Sequence, residues 1–470
     1  MTSVVIVGGG PGGYEAALVA AQLRAEVTLV DSAGIGGSAV LTDCVPSKAF
    51  ISVGEILDVF RDSGQLGVRA DGRDPAEAAL GIDIAGVNRR ILGLAAAQSR
   101  DIAERLRTEG VRVLPGTGRL DGPGTVVAAP HDGGEERLQA DLILLATGAS
   151  PRVLPDAAPD GERILTWEQV YNLTDLPEHL VVVGSGVTGA EFASAFNAVG
   201  ARVTLVSSRD HVLPGEDADA AAVLEQVFAE RGVDVIPRAR AVAARRDGDS
   251  VRVSLADGRT VTGSHCLLAV GSLPNTSDLG LQSAGVAVDE RGFIAVDRVS
   301  RTSQRGIYAA GDCTGVLMLA SVAAMQGRIA MWHALGDAVN PLDLATVSAN
   351  VFTDPEIATV GVSQADIDAG RINAEIVLQP LATNARAKMG ELRHGFVKLF
   401  CRPSTRIVVG GVVVGPRASE LIHPVSLAVA HRLTVDQVAG AFTVYPSLSG
   451  SVAEAARRLH DTGLAAAPTW

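Results

Sequence analysis

Two glycine-rich turns, each between an apolar run and an alanine-rich stretch, carry the strongest chemical signal in this sequence. In the first turn, Gly8, Gly10 and Gly13 follow the apolar residues 4–7, and the next apolar run ends in Asp31. Glycines at this spacing allow a tight turn and the approach of a pyrophosphate to a helix N-terminus, while the carboxylate binds ribose hydroxyls. Because strand, turn, helix and acid occur together, the fingerprint predicts a dinucleotide site.

The second turn repeats this pattern with Gly184, Gly186 and Gly189, and it predicts a second nucleotide site. The acid is missing here, and its place is taken by three polar residues: Ser207, Ser208 and Arg209. An arginine can bind the 2′-phosphate of NADPH, which a carboxylate would repel. We therefore predict that NADPH is preferred or that NADPH and NADH are both used. The alternative is that Arg209 is a solvated loop residue.

Two further apolar runs end in polar or glycine residues, as expected where a ligand lies across the carboxyl ends of a parallel sheet. One run leads into Thr147 and Gly148, and the other leads into Asp312. Asp312 either hydrogen-bonds a ribityl or ribose hydroxyl or caps the helix that follows. Residues 269–275 contain breakers typical of a domain exit, and Gly271 within them is a candidate nucleotide contact.

These motifs must be positioned by an α/β fold with three units. Strand and helix patterns predict two Rossmann-like dinucleotide-binding domains and a C-terminal α+β domain. The first domain comprises residues 1–150 and 271–345, the second comprises residues 151–270, and the third comprises residues 346–470. After about residue 345 the glycine fingerprints stop, and alternating strands are followed by helices.

The composition is that of a globular protein whose partner is a small molecule. The formal net charge of −13 argues against binding of nucleic acid or an anionic membrane, because both require a positive surface. We find neither a secretion signal nor an apolar run long enough for a membrane span. The four cysteines are too few and too scattered for a disulfide framework, and the histidines lack metal-ligand spacing. We predict a cytoplasmic protein without a metal site.

In their order along the chain, these motifs resemble those of the pyridine nucleotide-disulfide oxidoreductase family, specifically its lipoamide dehydrogenase-like branch. The matching segments span almost the whole chain: residues 8–13 with Asp31, 36–48, 146–148, 184–191, 309–312 and 445–447. The resemblance implies FAD on the first domain, a nicotinamide nucleotide on the second and a homodimer formed through the third. It also implies FAD contacts at Gly118 and at a later segment: Met318, Leu319, Ala320 and Ser321.

The sequence departs from the active disulfide reductases of this family at three positions. Those enzymes carry a pair of cysteines in one segment, but here Cys44 is present and Ala39 occupies the partner position. Tyr445 and Gly450 replace the histidine and glutamate of their C-terminal segment. No dithiol can form between positions 39 and 44, and a tyrosine with an ordinary pKa of about 10 is a poor acid or base at neutral pH. We therefore do not expect lipoamide, glutathione or mercuric reductase activity.

Lys48 and Glu191 are retained, and the resemblance implies that they pair near the flavin N5, where hydride arrives. Lysine occurs at only three of the 40 basic positions, so its retention here favours this role over an ordinary surface lysine. Cys44, ahead of a helix start, is either a thiolate against the flavin or a small buried residue without a catalytic role. We favour the second interpretation and expect Cys44 to contact the flavin. Tyr445, supplied by the partner subunit, either contacts a quinone or packs without a chemical role.

The predicted function is an FAD-dependent NAD(P)H dehydrogenase that passes electrons from reduced flavin to a quinone-type acceptor. The resemblance includes a disulfide-lacking branch with this activity. A soluble transhydrogenase or diaphorase is the second interpretation, and rapid reduction of a nicotinamide analogue by NADPH would identify it. The third is a flavin redox sensor or assembly subunit with little turnover, for which slow reoxidation by every acceptor would be the sign.

Overall fold

The computed structural model describes residues 1–78 and 80–460. The first part of the chain forms β1 (Ser3–Val7), α1 (Pro11–Gln22), β2 (Glu26–Asp31), α2 (Gly37–Leu41), α3 (Cys44–Asp62), α4 (Ile84–Thr108), β3 (Arg112–Leu120), β4 (Thr125–Pro130), β5 (Glu136–Gln139), β6 (Leu142–Leu145) and β7 (Ala149–Pro151). The middle part forms β8 (Ile164–Thr166), β9 (His179–Val183), α5 (Val187–Ala198), β10 (Arg202–Val206), α6 (Ala218–Glu230), β11 (Asp234–Ile236), β12 (Ala241–Asp247), β13 (Ser250–Leu255), β14 (Thr260–Gly263), β15 (His265–Leu268) and β16 (Ser272–Pro274). The last part forms β17 (Ile307–Ala309), α7 (Ala320–Ala334), β18 (Ser348–Val351), β19 (Glu356–Gly361), α8 (Gln364–Asp368), β20 (Glu375–Pro380), α9 (Ala385–Met389), β21 (Phe396–Cys401), β22 (Val408–Gly415), α10 (Ala418–Leu421), α11 (His423–Ala430), α12 (Val435–Gly440) and α13 (Gly450–Arg458).

The first unit is built on a seven-stranded sheet with the order β17-β6-β1-β2-β3-β4-β5. The interior strand β1 pairs in parallel with β2 and β6, and four of its five residues are buried. A parallel strand that is covered on both faces requires such a continuous apolar run. Strand β17 pairs in parallel with β6, so the chain returns to this sheet after it has formed the second unit.

The second unit contains a five-stranded sheet with the order β11-β10-β9-β15-β8, in which every pairing is parallel. The third contains an antiparallel sheet with the order β18-β19-β22-β21-β20, and the short helices α10 to α13 follow it in the chain. The predicted α/β class, with two Rossmann-like units and a C-terminal α+β unit, is confirmed. The exact domain boundaries stay predictions, and residues 461–470 of the third lie outside the described residues.

The two glycine-rich turns have the same geometry and the same steric requirement. The first glycines, Gly8 and Gly184, have φ angles of +107° and +113°, which side chains rarely adopt. A Cβ at Gly13 would lie 1.8 Å from the carbonyl oxygen of Gly8, and one at Gly189 would lie 1.8 Å from that of Gly184. Only glycine lets each helix pack this closely against the turn before it, so local sequence determines both βαβ units.

The sequence pattern predicts helix starts at Tyr14, Pro46 and Ala190, and all three helices begin earlier. Helix α1 begins at Pro11 rather than Tyr14, α3 begins at Cys44 ahead of Pro46, and α5 begins at Val187. The first turn of a helix has N–H groups without intrahelical partners, so a proline or a polar residue costs little there. The apolar pattern shows only the packed part of each helix. No described helix is both long and apolar enough to cross a bilayer.

Candidate active site

A cavity of about 650 Å³, called the first cavity below, opens where β1, β2, β6 and β17 end. Its lining includes most of the predicted contacts for the first nucleotide: Gly8, Gly10, Asp31, Gly118, Thr147, Gly148, Asp312, Met318 and Ala320. Four predicted contacts lie outside this lining: Gly13, Lys48, Leu319 and Ser321. Gly13 packs against the turn, which accounts for a glycine there, and Leu319 is the N-cap residue of α7.

The start of α1 forms the wall of the first cavity that suits a diphosphate. Gly10 is its N-cap residue, and it has no side chain with which to satisfy the first N–H groups of the helix. On the other side of the cavity, Gly118 leaves the ends of the strands uncovered because it has no side chain. A Cβ at this position would lie 3.1 Å from Val7. Free helix N–H groups beside an open groove are the usual anion site of a dinucleotide fold, so these residues fit the diphosphate of FAD.

Asp31 forms a second wall of the first cavity at the end of β2. Its Oδ2 accepts a hydrogen bond of 2.6 Å from the backbone N–H of Gly9. Its Oδ1 accepts bonds of 2.9 Å and 2.5 Å from the N–H groups of Ala33 and Gly34. These bonds hold the carboxylate in one orientation. Since a carboxylate has acceptor capacity for about four donors, it retains room for a ribose hydroxyl.

Asp312 lies on the wall where β17 ends, and its environment argues against one of its two predicted roles, that of a helix cap. The N-cap residue of the following 3-10 turn is Gly311, and Asp312 caps neither that turn nor α7. Burial raises the pKa of Asp312 to about 6, and the charge of Asp43 adds to this effect. A carboxyl that faces the cavity and caps no helix supports the predicted contact with a cofactor hydroxyl.

Lys48 and Glu191 form a largely buried ion pair between α3 and α5. The Nζ of Lys48 lies 2.8 Å from Oε2 of Glu191, whose side chain is only 5% exposed. The backbone N–H of Phe352 donates a 2.9 Å hydrogen bond to Oε1 of the same carboxylate. Burial alone would lower the pKa of Lys48, but the charge and hydrogen bond of Glu191 outweigh it and the pKa is raised. The ammonium therefore stays charged at neutral pH.

The packing of α3 against α5 positions this ion pair. The rings of Phe50 and Phe196 lie 4.9 Å apart between their centroids. One turn further, a Cβ at Gly54 would lie 2.9 Å from the Cβ of Ala198, so glycine lets the helices approach closely. Lys48 lies about half a turn before Phe50 on the same helix and reaches Glu191 across this contact.

Cys44 does not have the properties of a reactive thiolate, which corrects one of its two predicted roles. It is the first residue of α3 and lines the first cavity, yet burial raises the pKa of its thiol to about 12. The nearby carboxylate of Asp43 acts in the same direction, while Lys48 opposes it. The thiol is thus protonated at neutral pH, because desolvation outweighs the favourable helix N-terminus. The favoured interpretation, a small residue that contacts the cofactor, is consistent with this.

Tyr445 lies on the surface of the third unit and outside the lining of the first cavity. It is 86% exposed, and its neighbours Phe442 and Val444 are also largely exposed. Apolar side chains so far exposed and so close in sequence are typical of a protein interface. A role for Tyr445 at the cavity therefore depends on a second subunit.

A second cavity, of about 520 Å³, opens where β9 and β10 end. Its lining includes Gly184, Ser208 and Arg209 from the predicted set and adds two arginines that the sequence pattern did not single out, Arg152 and Arg240. The carbonyl of Gly271, itself outside the lining, accepts a 2.9 Å hydrogen bond from the N–H of Arg152. Several guanidinium groups around one cavity favour a nucleotide with an additional phosphate.

Ser207 is wrongly placed among the nucleotide contacts, and the structure shows why. It is fully buried, and its hydroxyl lies 2.7 Å from that of Ser185. The same hydroxyl accepts a 3.0 Å hydrogen bond from the N–H of Arg209. Ser207 therefore points inward and holds the loop that presents Arg209. Gly186, Gly189 and Glu191 also lie outside this cavity, as N-cap, packing residue and partner of Lys48.

Both cavities lie in the part of the chain that matches a known protein family. The model of the family "Pyridine nucleotide-disulphide oxidoreductase" matches residues 2–327, which contain both cavities. The chain belongs to this family. The model of the family's dimerisation domain matches residues 347–456, so the third unit of this oxidoreductase is a dimerisation domain. FAD and a nicotinamide nucleotide are the cofactors of the family, in agreement with the prediction.

Relatives of this oxidoreductase differ in how closely they match. "NAD(P)H dehydrogenase (quinone)" from Mycobacterium tuberculosis is 57% identical, over 98% of this chain and 95% of that protein. "Dihydrolipoyl dehydrogenase 2" from Haloarcula marismortui is 35% identical, over 97% of this chain and 96% of that protein. The crystal structure of LpdA from Mycobacterium tuberculosis superposes with a TM-score of 0.93 at 56% identity, over 98% of this chain and all of that one.

Two carboxyl groups of the first cavity were missed by the sequence analysis of this oxidoreductase. Asp43 and Glu168 line it beside Cys44, although neither belongs to a glycine fingerprint. The position of Asp43 just ahead of the helix that carries Lys48 was a signal, but an aspartate there is ordinarily explained as a cap. Nothing local marks Glu168, since long-range packing brings the segment after β8 to this cavity.

Proposed function

We propose that this oxidoreductase transfers electrons from NAD(P)H, through FAD in the first cavity, to a quinone. One observation carries the proposal: the Lys48–Glu191 pair is intact, while Ala39 lies in the lining of the first cavity where a partner for Cys44 would be needed. Electron transfer to a disulfide substrate requires a second thiol, whereas transfer to a quinone requires only an accessible site. The 57% identity with a protein named NAD(P)H dehydrogenase (quinone) supports the same conclusion.

The residues of the chain have separate tasks in this reaction. When bound, FAD supplies the two-electron redox chemistry that side chains lack. The helix start at Gly10 and the carboxylate of Asp31 bind its diphosphate and ribose. The ammonium of Lys48 supplies a fixed positive charge where the cofactor gains electrons, and Glu191 holds that ammonium in place. Arg209 binds the 2′-phosphate of NADPH in the second cavity.

The purified yellow protein is expected to reduce benzoquinones or naphthoquinones with NADPH and to show no turnover with lipoamide or oxidised glutathione. The physical reason is that Ala39 cannot provide the thiol that attacks a disulfide. Steady-state loss of NADPH absorbance with each acceptor measures this. Ready reduction of lipoamide would contradict the proposal, as would rapid transfer only to a nicotinamide analogue.

Arg209→Ala is expected to lower kcat/KM for NADPH about tenfold and to leave kcat/KM for NADH unchanged, because only NADPH carries the phosphate that Arg209 binds. Steady-state kinetics with a fixed quinone measure both values. Arg238→Ala is the matched control, since that exposed arginine lies 3.6 Å from Asp210 and outside the second cavity. An unchanged ratio of the two efficiencies in Arg209→Ala would remove Arg209 from the site.

We also propose a cytoplasmic homodimer in which Tyr445 of each chain reaches the first cavity of the other. The dimerisation domain at residues 347–456 supports self-association, and the exposed residues around Tyr445 supply an apolar surface for it. All four cysteines are free thiols, which is consistent with a reducing compartment.

A further inference from the structure

Asp43 occupies the N-cap position of α3, yet its side chain caps nothing. Its φ and ψ angles are −124° and −96°, and the carboxyl accepts no hydrogen bond from the helix. By contrast, Asp83 and Asp217 occupy the same position at α4 and α6 and accept hydrogen bonds from the first turn. Aspartate is common at N-caps because of such bonds, so their absence here calls for another role.

The side chain of Asp43 instead forms part of the first cavity. It lies in the lining together with Ala39, Cys44 and Asp312. No described residue forms a hydrogen bond or an ion pair with its carboxyl. On the proposed function, an acceptor enters this part of the cavity, beside Ala39. A partly buried carboxyl without a protein partner is thus available to a molecule that enters beside Ala39.

The burial of Asp43 favours the protonated form of its carboxyl. Burial raises the pKa of Asp43, Lys48 opposes the increase and Glu191 adds to it. Lys48 cannot serve as a dedicated partner, because its ammonium is bonded to Glu191 at 2.8 Å. Other titratable groups face Asp43 from the neighbouring segments: Cys44 on α3, Glu168 and Tyr171 after β8, and Asp312 after β17.

We propose that the carboxyl of Asp43 donates a proton to a carbonyl oxygen of the quinone as it is reduced. The inference rests on the proposed function and adds the proton source for it. Reduction of a quinone to a hydroquinone consumes two electrons and two protons, and the hydride equivalent from NADPH supplies both electrons and one proton. Asp43 supplies the second: its O–H bond breaks, an O–H bond forms on the acceptor, and the carboxylate recovers a proton from water.

The other groups of the first cavity are less suited to this transfer. Cys44 is too weak an acid, since burial raises the pKa of its thiol to about 12. Burial likewise raises the pKa of Tyr171, and that residue lies outside the cavity lining. Asp312 is assigned to the cofactor, and Glu168 is less deeply buried than Asp43, although burial raises its pKa as well.

The test compares a quinone with ferricyanide, which accepts one electron and no proton. Asp43→Asn removes the acid but keeps the size of the side chain, and we expect it to lower kcat for a benzoquinone about a hundredfold. Ferricyanide reduction by NADPH should stay within about twofold of wild type. In the wild type the quinone rate should fall as the pH rises through the raised pKa of Asp43, and the variant should lose this dependence.

Asp83→Asn is the matched control, because asparagine caps a helix as well as aspartate and Asp83 is exposed outside the first cavity. Asp43→Glu retains an acid and should recover most of the quinone rate, which excludes a purely structural effect. An infrared band of a protonated carboxyl, titrated in the oxidised holoprotein, should disappear in Asp43→Asn.

Full quinone activity in Asp43→Asn, or equal losses with both acceptors, would overturn the proposal. A wild type that reduces ferricyanide but no quinone would instead refute the proposed function.

Discussion

We expect NADPH to reduce the Lys48→Met variant about a thousandfold more slowly than the wild-type protein, a loss typical when a preorganised charge is removed from a reacting centre. Methionine keeps most of the length of the side chain but removes the ammonium that lies 2.8 Å from Glu191. The carboxylate of Glu191, 5% exposed, then loses its only ion-pair partner among the described residues. On the role proposed for Lys48, the variant therefore lacks a positive charge and leaves a negative one at the place where the cofactor gains electrons.

Stopped-flow absorbance of the bound flavin under anaerobic conditions measures this effect directly, because it separates reduction from transfer to the acceptor. Lys388→Met is the matched control, since Lys388 is an exposed lysine on α9, and this variant should behave as wild type. Lys48→Arg should recover only part of the rate, as a planar guanidinium does not replace a compact ammonium in a narrow site. A reduction rate for Lys48→Met within tenfold of wild type would show that the pair is structural.

Lys398→Met is expected to lower the free energy of unfolding by about 4 kcal/mol, the cost of leaving one member of a buried ion pair without its partner. The side chains of Lys398 and Asp217 are only 2% and 3% exposed, and Nζ lies 2.8 Å from Oδ2 of Asp217. A second carboxylate, that of Asp219, lies 2.6 Å from the same ammonium. Lys398 on β21 thereby joins the dimerisation domain to the start of α6 in the nucleotide-binding part.

Urea unfolding of the holoprotein, followed by flavin release and far-ultraviolet circular dichroism, measures this loss at one fixed protein concentration. Lys388→Met again serves as the control and should change the midpoint very little. Adding Asp217→Asn to Lys398→Met should restore part of the stability, because the unpaired charge is then removed. Equal stability of Lys398→Met and Lys388→Met would contradict the conclusion that the buried ion pair of Lys398 stabilises the contact between the units.

Of the three lysines, two thus occupy buried or largely buried ion pairs that join different units of the fold. The rarity of lysine among the basic residues indicated a special role for Lys48, and the pair with Glu191 is present as predicted. The same reasoning applied equally to Lys398, but nothing near it in the chain indicated Asp217. Composition can mark an unusual residue, whereas its partner depends on how distant segments pack.

The sequence by itself determined both dinucleotide folds, because each depends on consecutive residues. Gly8 and Gly13 meet steric requirements set by the strand and helix on either side of them, and Gly184 and Gly189 meet the same requirements in the second copy. The missing thiol at Ala39 is also a property of sequence alone. Side-chain identity at one position decides whether a disulfide can form, whatever the surrounding fold.

Only the tertiary structure decided which way the polar side chains face. Ser207 points into the protein and holds the loop of Arg209, while Arg152 and Arg240 join the second cavity from distant segments. Asp43 stands at a helix start, where sequence indicates a cap, but its carboxyl faces the first cavity. The physical reason is that backbone turns are set by local sterics, whereas the direction and protonation of a side chain depend on the groups that folding brings around it.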